Sequence, residues 1–222
     1  MNKLLIIILL PILACSCGEK FALSKDKLTV LPENKEWLIA AETGSSFIMT
    51  DNHNISQGFS MYQNSTGFSP STSSYFGVRT NITETESYSQ GYSSVYGQRF
   101  SYTLTAGNEP FGDNLTVSLN DLLFTYDFKF GTISRLNLES NYKSKTMTDQ
   151  GYEITDTIFS TIEILDSLTV NGFTFSGVMH FSFSDFADKW TPLTIRDVYL
   201  AKQYGLVRYS LENGITYERI KD

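Results

Sequence analysis

Cysteine and histidine are scarce in this chain of 222 residues. The two cysteines, Cys15 and Cys17, both lie near the start, so the rest of the chain has no disulfide framework and must be held by its core. The two histidines, His53 and His180, have no metal-ligand spacing, and the sequence contains no HExxH, CxxC or EF-hand pattern. We therefore expect no metal site and no cofactor.

Motifs of catalysis are also absent. The chain has no GxSxG elbow, no phosphate-cradling glycine loop and no GxGxxG, and no nucleophile-base or carboxylate constellation is apparent. We therefore predict that the protein is not an enzyme and has no catalytic residues.

Charge is low and mainly negative. Charged residues make up 18% of the chain, and the net charge is −7. Without a broad positive field to neutralise phosphates, nucleic acid is not expected as a partner. Aromatics reach 14%, a composition that with many Ser, Thr, Asn and Gly residues favours strands and turns.

The strongest fold signal is a β-hairpin within residues 158–185, IFSTIEILDSLTVNGFTFSGVMHFSFSD. Asn171-Gly172 suits a two-residue turn with positive φ, and the resulting register places apolar residues of both strands on one side. The other side is polar and places Glu163 opposite His180.

Two further hairpins follow the same logic. Asn120-Asp121 as a turn pairs Leu119 with Leu122 and Val117 with Phe124. Near the end, a three-residue loop 212–214 pairs Leu211 with Ile215, whereas a two-residue turn would place apolar residues against polar ones. Residues 63–74 are predicted to be a polar loop.

Together these segments predict an all-β fold. An antiparallel meander of this length must close as a barrel or half-barrel, or pack as a two-sheet sandwich, to cover its apolar face and its edges. We assign residues 37–222 to a single β domain and 18–36 to a tether.

The first residues, MNKLLIIILLPILACSC, resemble a bacterial lipoprotein signal. Lys3 precedes an apolar run, and Ile12-Leu13-Ala14-Cys15 resembles a lipobox, in which the peptide is cut before the cysteine. We assign 1–17 to the signal and lipobox, with Cys15 as the acylated residue and Cys17 as second choice. Palmitate-type acyl chains would hold the domain on a lipid membrane.

The end of the chain, LTVNGFTFSGVMHF followed by DVYLAKQYGLVRYSLENGITYERI, together with the signal, resembles short outer-membrane lipoproteins of the Bacteroidota type. The resemblance rests on strands and turns. It implies a lipid-anchored location in the cell envelope, in the outer membrane of a Gram-negative bacterium, and no particular activity.

Two places are candidates for ligand binding. Asp166 falls on the apolar side of the main hairpin, opposite Gly177, where it would either orient a guest in a cavity or be turned outward at a bulge or at the barrel mouth; we favour the structural alternative. Tyr88, Tyr92 and Tyr96 recur at a spacing of four and could form an exposed stacking surface, although aromatic residues in such a pattern more often belong to the core.

Two functions follow as hypotheses. The first is a non-enzymatic envelope lipoprotein that binds an apolar or amphiphilic small molecule in its β domain. The second is a surface adhesion module that binds a glycan or a protein through the tyrosine-rich face. An enclosed apolar pocket would favour the first, and a filled barrel with an exposed aromatic strip the second.

Overall fold

The computed structural model describes residues 24–75, 78–107, 112–120, 122–138, 146–148, 151–153, 159–184 and 195–220. The chain divides into two compact units. The smaller comprises Met1–Lys27 and Pro70–Glu84, and the larger comprises Leu28–Ser69 and Thr85–Asp222. Cys15 and Cys17 lie outside the described residues.

The described elements are almost all strands. They are β1 (Ser24–Leu28), α1 (Pro32–Lys35), β2 (Ser46–Asp51), β3 (Ser56–Tyr75), β4 (Val78–Ser94), β5 (Arg99–Thr105), β6 (Asn114–Leu119), β7 (Leu122–Asp127), β8 (Thr132–Leu138), β9 (Thr146–Thr148), β10 (Gly151–Glu153), β11 (Phe159–Val170), β12 (Phe173–Ser184), β13 (Ile195–Ala201), β14 (Gly205–Leu211) and β15 (Thr216–Ile220).

The strands form an antiparallel meander. The order is β11-β12-β13-β14-β15-β2-β3-β4-β5-β6-β7-β8, with β1 beside β4, while β9 and β10 pair separately. In the larger unit the sheet curls around one core, because Phe124 of β7 lies 4.7 Å from Phe181 of β12, ring centre to ring centre. The predicted all-β fold class is confirmed, with a nearly closed antiparallel meander in the larger unit.

In the smaller unit the described parts of β1, β3 and β4 carry mostly polar residues. Lys25 forms an ion pair with Glu84 at 2.7 Å, and the Ser71 hydroxyl donates to the Thr83 carbonyl oxygen at 3.4 Å.

The predicted loop at 63–74 is wrong, since those residues belong to β3. Pairing with a neighbouring strand satisfies the backbone hydrogen-bond groups of this segment, although its side chains show no apolar alternation.

The three predicted hairpin registers are confirmed. Val170 pairs with Phe173 and Glu163 with His180 around Asn171, which has φ +48°. Leu119 pairs with Leu122. In the last hairpin Leu211 N donates to the Ile215 oxygen at 2.8 Å across the predicted loop.

One part of the main hairpin departs from the prediction. Adjacent residues in β12, β13 and β14 belong to two separate apolar clusters, so the sheet is covered on both faces here, since neighbouring strand residues point to opposite faces. The pairs, main core first, are Met179 and Val178, Leu200 and Ala201, and Leu206 and Val207.

The hairpin tip covers the second face. Phe175 clusters with Val178 rather than Met179, because Gly177 between them has φ +61° and changes the alternation. The prediction that the apolar residues of this hairpin all face one side is therefore wrong for the tip, which lies on the turn side of Gly177. Ile164, placed on that side, is 63% exposed. Asp166 is exposed as well.

A polar row crosses the sheet at the base of the same hairpin. Cross-strand pairing aligns Glu163, His180, Tyr199, Arg208 and Glu218 on five neighbouring strands. The His180 ring stacks on Tyr199 at 4.1 Å and its Nε2 lies 3.0 Å from an Asp197 oxygen. Burial alone would raise the pKa of Asp197, but hydrogen bonds from Ser210, His180 and Ser182 outweigh burial and lower it. Hydrogen bonds thus join Asp197 to its neighbours in this row, although Arg208 Nε is buried without a partner among the described residues.

Candidate functional site

Residues 28–41, the N-terminal strap, pack into the larger unit. Packing against the core begins at Leu28, which lies within the range 18–36 that we predict to be a tether. Val30, Trp37 and Ile39 of the strap are buried in the main core. The strap reaches parts of the sheet that are distant in strand order, from β4 to the turn between β13 and β14.

Glu86 of β4 anchors the first part of the strap. Its carboxylate accepts hydrogen bonds from Val30 N at 2.8 Å, from Lys35 Nζ at 3.1 Å and from the Tyr88 hydroxyl at 2.6 Å. Burial alone would raise the pKa of Glu86, but these three donors outweigh burial and lower it. The Tyr88 hydroxyl is therefore one of the hydrogen-bond donors of this anchor.

Asp113 forms the second anchor. Its carboxylate accepts from Leu31 N at 2.8 Å, from Asn34 Nδ2 at 2.9 Å and from Gly107 N at 3.1 Å. A cavity of about 550 Å³ opens beside it, lined also by Leu28, Glu33, Phe128 and Lys129. We call this cavity the Asp113 pocket.

Ile39 makes the third anchor. Its backbone N–H reaches the Tyr102 hydroxyl at 2.7 Å and Gln90 Oε1 at 3.1 Å, and Gln90 Nε2 donates to the Ile39 oxygen at 3.1 Å. The Tyr102 hydroxyl also donates to Gln90 Oε1. Burial raises the pKa of Tyr102 well above its usual value, so its hydroxyl stays protonated.

The turn between β13 and β14 receives the end of the strap. Gln203 N donates to the Glu36 oxygen at 2.8 Å, and Ala40 N donates to the Gln203 oxygen at 3.2 Å. Gly205 has φ +68°, and a Cβ there would lie 2.5 Å from Ile39 Cδ1. Glycine is needed at this position both for its backbone conformation and for the space that Ile39 occupies.

A second cavity, of about 330 Å³, lies where the strap, this turn, β2, β4 and β15 meet. We call it the Tyr92 pocket. Its lining combines apolar and aromatic side chains with polar groups, and consists of Ile39, Ala40, Ala41, Ser45, Ser46, Phe47, Tyr92, Gln203, Tyr204 and Arg219.

Two hydroxyls of this pocket are buried without a hydrogen-bond partner among the described residues, those of Ser45 and Tyr92. Tyr92 is 1% exposed. Burial raises the pKa of Tyr92 to about 12, against a smaller lowering by the Arg219 charge. Its hydroxyl is therefore a protonated donor at neutral pH. Buried polar groups are nearly always hydrogen-bonded in folded proteins, so this pair is unusual.

Arg219 supplies the charge of the pocket. Its guanidinium lies 4.6 Å from the Phe47 ring centre and 5.9 Å from that of Tyr204, and Nη1 donates to the Tyr204 oxygen at 2.6 Å. Phe47 in turn meets Tyr92 edge to face, with ring centres 5.2 Å apart. Aromatic faces thus hold the cation in the pocket that Tyr92 also lines.

The predicted site residues are not brought together. Tyr92 lines the pocket, Tyr88 is half-buried at the Glu86 anchor, and Tyr96 is 73% exposed in the turn after β4. The three tyrosines therefore share no common exposed surface. Asp166 lies on the main hairpin and does not line either pocket.

Sequence reasoning missed Ser45 and Arg219. Neither belongs to a motif, and Arg219 lies in the last strand, far from Ser45 and Tyr92 along the chain. The one available signal was Tyr92 itself, which recurs with Tyr88 and Tyr96 at a spacing of four.

No protein-family model, curated protein or solved structure matches this chain. Among the described ranges no cluster of His, Cys, Asp and Glu could hold a metal ion. Within the same ranges, no helix has the length and apolar character needed to cross a bilayer.

Proposed function

We propose that this protein is a lipid-anchored envelope protein whose β domain binds a small amphiphilic molecule in the Tyr92 pocket, without catalysing a reaction. One observation carries the binding proposal: Tyr92 and Ser45 line an open pocket, and their hydroxyls are buried without a hydrogen-bond partner among the described residues. A guest with a polar end would supply the missing hydrogen bonds.

The rest of the lining suits the apolar end of such a guest. Phe47 and Tyr204 offer aromatic faces, and Ala40 and Ala41 leave room beside them. A volume of about 330 Å³ lies at the lower end of the range for small-molecule sites. The expected guest is therefore small.

The binding proposal is tested with a solvatochromic dye and a panel of fatty acids and detergents. We expect saturable dye binding, displacement by panel members and a raised melting temperature, because a ligand that binds only the folded state stabilises it by mass action. Ala40→Trp, which fills the pocket from an exposed position, should abolish binding. The matched control is Glu42→Trp, an exposed position outside the pocket lining.

Failure of the whole panel to bind wild-type protein would contradict the binding proposal. The adhesion module would then be the favoured function, and a glycan array would test it. Within that alternative Tyr96 is the candidate contact, since it is the exposed member of the three tyrosines.

The anchoring proposal has its own test. Cys15→Ser should move the protein from the membrane fraction to the soluble fraction of the envelope, because acyl chains can no longer be attached. If only Cys17→Ser releases the protein, the acylated residue is Cys17. If neither substitution releases it, the lipoprotein proposal is wrong.

A further inference from the structure

We infer that the tip of the β11–β12 hairpin, residues 167–176, is a gate that controls entry to the Tyr92 pocket by holding the Tyr204 ring at the mouth of that pocket. This inference rests on the proposed binding function and adds how access to the site is regulated.

Tyr204 marks the mouth of the pocket. Three aromatic residues belong to the lining, and two of them, Phe47 and Tyr92, are each 1% exposed, whereas Tyr204 is 40% exposed. The Tyr204 ring therefore stands between the pocket and solvent. A guest that enters at this side requires the ring to shift.

The hairpin tip holds the Tyr204 ring in this position. The ring centres of Phe173 and Phe175 lie 5.8 Å and 5.1 Å from that of Tyr204, and both contacts are edge to face. Such aromatic pairs attract each other beyond the effect of buried apolar area. Neither phenylalanine lines the pocket, so the tip acts on a guest through Tyr204.

The backbone of the turn that carries Tyr204 is fixed on its other side by the strap. Gln203 N donates to the Glu36 oxygen at 2.8 Å, and Ala40 N donates to the Gln203 oxygen at 3.2 Å. The turn therefore stays with the strap. Opening of the mouth is left to the Tyr204 side chain and to the hairpin tip that packs on it.

The tip is attached to the rest of the domain mainly by side chains. β12 pairs with β13 from Val178 to Ser182, and none of the described strands pairs with the tip on the turn side of Val178. The small apolar cluster around Phe175 and a hydrogen bond of 3.2 Å from Asn171 Nδ2 to the Arg219 oxygen hold it. A two-stranded hairpin has little stability of its own, so this part should open at a lower free energy than the paired sheet.

Gly177 supplies the hinge. It has φ +61° and lies opposite Asp166, and the cross-strand pairs of the hairpin continue on either side of these two residues without including them. The Gly177 oxygen accepts a hydrogen bond from Lys202 N at 3.1 Å. The base of the tip thus remains tied to the turn that carries Tyr204 while the tip itself lifts.

The test measures the entry and exit of 1-aminoanthracene, a small uncharged solvatochromic dye, by stopped-flow fluorescence on the full protein with its signal removed. Asn171→Gly removes the hydrogen bond to Arg219 but keeps a residue that accepts positive φ, and Phe173→Leu removes one ring contact with Tyr204. We expect each variant to raise both the association and the dissociation rate constant at least about threefold. The dissociation constant should stay within about twofold, because neither residue lines the pocket.

Asn120→Gly is the matched control. Asn120 is also a turn residue with positive φ, at +52°, its side chain accepts one hydrogen bond from Arg99 N, and it does not line the pocket. Its replacement should leave both rate constants unchanged. Circular dichroism and melting temperature verify that each variant folds.

Amide hydrogen exchange of residues 167–176 is the second measurement. Exchange should be faster in Asn171→Gly and Phe173→Leu than in wild type, because the tip opens more often. It should be slower when the dye, or any member of the fatty-acid and detergent panel, is bound, since a guest behind Tyr204 favours the closed tip.

The outcomes separate this inference from the function on which it rests. If both folded variants bind the dye with wild-type rate constants, or if the tip exchanges equally fast with and without a bound guest, the gate inference is wrong while the binding function stands. A changed dissociation constant with an unchanged association rate constant would likewise make the tip a part of the pocket wall and not a gate. If neither the dye nor any panel member binds wild-type protein, the binding function fails and the gate fails with it.

Discussion

The two pockets beside the N-terminal strap differ in how their buried polar groups are satisfied. At the Asp113 pocket the chain itself supplies three donors to one carboxylate. At the Tyr92 pocket two buried hydroxyls have no partner among the described residues. The first pattern is that of a structural anchor, whereas the second leaves hydrogen bonds for a ligand to make.

The difference also bears on stability. A satisfied buried carboxylate contributes to the folded state, and its removal leaves its donors unpaired. An unsatisfied buried hydroxyl lowers stability until something binds it. Removing the Asp113 carboxylate should therefore lower the stability of the free protein, whereas removing the Tyr92 hydroxyl should not.

The largest effect should come from Asp113→Ala. It leaves Leu31 N, Asn34 Nδ2 and Gly107 N without their acceptor, which we expect to lower the free energy of unfolding by about 3 kcal/mol. Urea denaturation measures it. Asp166→Ala, at an exposed aspartate, is the control and should change stability by less than about 0.5 kcal/mol. Equal effects would contradict the anchor role.

Gly205→Ala tests how the strap is held at the Tyr92 pocket. The new Cβ would meet Ile39 and needs φ +68°, so we expect a loss of about 2 kcal/mol. Gly214→Ala is a matched control, because Gly214 has φ +84° but open space around it. It should lose only about 1 kcal/mol, the cost of the backbone conformation. The difference between the two losses of stability measures the cost of the contact between the new Cβ and Ile39.

The Glu86 anchor predicts a smaller, pH-dependent effect. Hydrogen bonds lower its pKa in the folded protein below the ordinary 4.5. A lowered folded pKa means that the added stability is present above pH 4.5 and is lost as the pH falls through the folded value.

Urea midpoints between pH 7 and pH 3 would measure this loss. Glu86→Gln should remove this part of the pH dependence, and Glu42→Gln, at an exposed carboxyl, should leave it intact. An unchanged profile in Glu86→Gln would contradict the assignment.

The smallest effect is expected for Tyr92→Phe in the free protein. It removes a buried hydroxyl that has no partner in the described part of the chain, so stability should stay the same or rise by up to about 1 kcal/mol. Tyr102→Phe removes an equally buried hydroxyl that is bonded to Ile39 N, and should lose about 1.5 kcal/mol. Thermal and urea unfolding compare the two. A loss in Tyr92→Phe similar to that in Tyr102→Phe would mean that the Tyr92 hydroxyl has a partner.

The hairpins show how far sequence reasoning reached. Their registers follow from a turn and the two segments beside it, and the pattern of Leu119, Val117 and Phe124 was enough to fix the pairing. The faces were harder to predict. One glycine, Gly177 with φ +61°, changed the alternation of the main hairpin, and no pattern of apolar residues marks a glycine as such a point.

The candidate site was predicted only in part. Tyr92 was singled out in a row of three tyrosines that could be exposed or belong to the core, and it is buried beside a pocket while Tyr96 is exposed. Ser45 and Arg219 belong to β-strand regions that meet only because β15 pairs with β2. Sequence spacing carries no information about that contact.

The sequence by itself determined the all-β class, the meander and the hairpin registers, because each depends on neighbouring segments and the turn that joins them. Only the tertiary structure decided where the strap docks, which face the hairpin tip covers and which hydroxyls have no partner among the described residues. Those features depend on contacts between residues far apart in the chain, and such contacts form only when the whole sheet curls around its core.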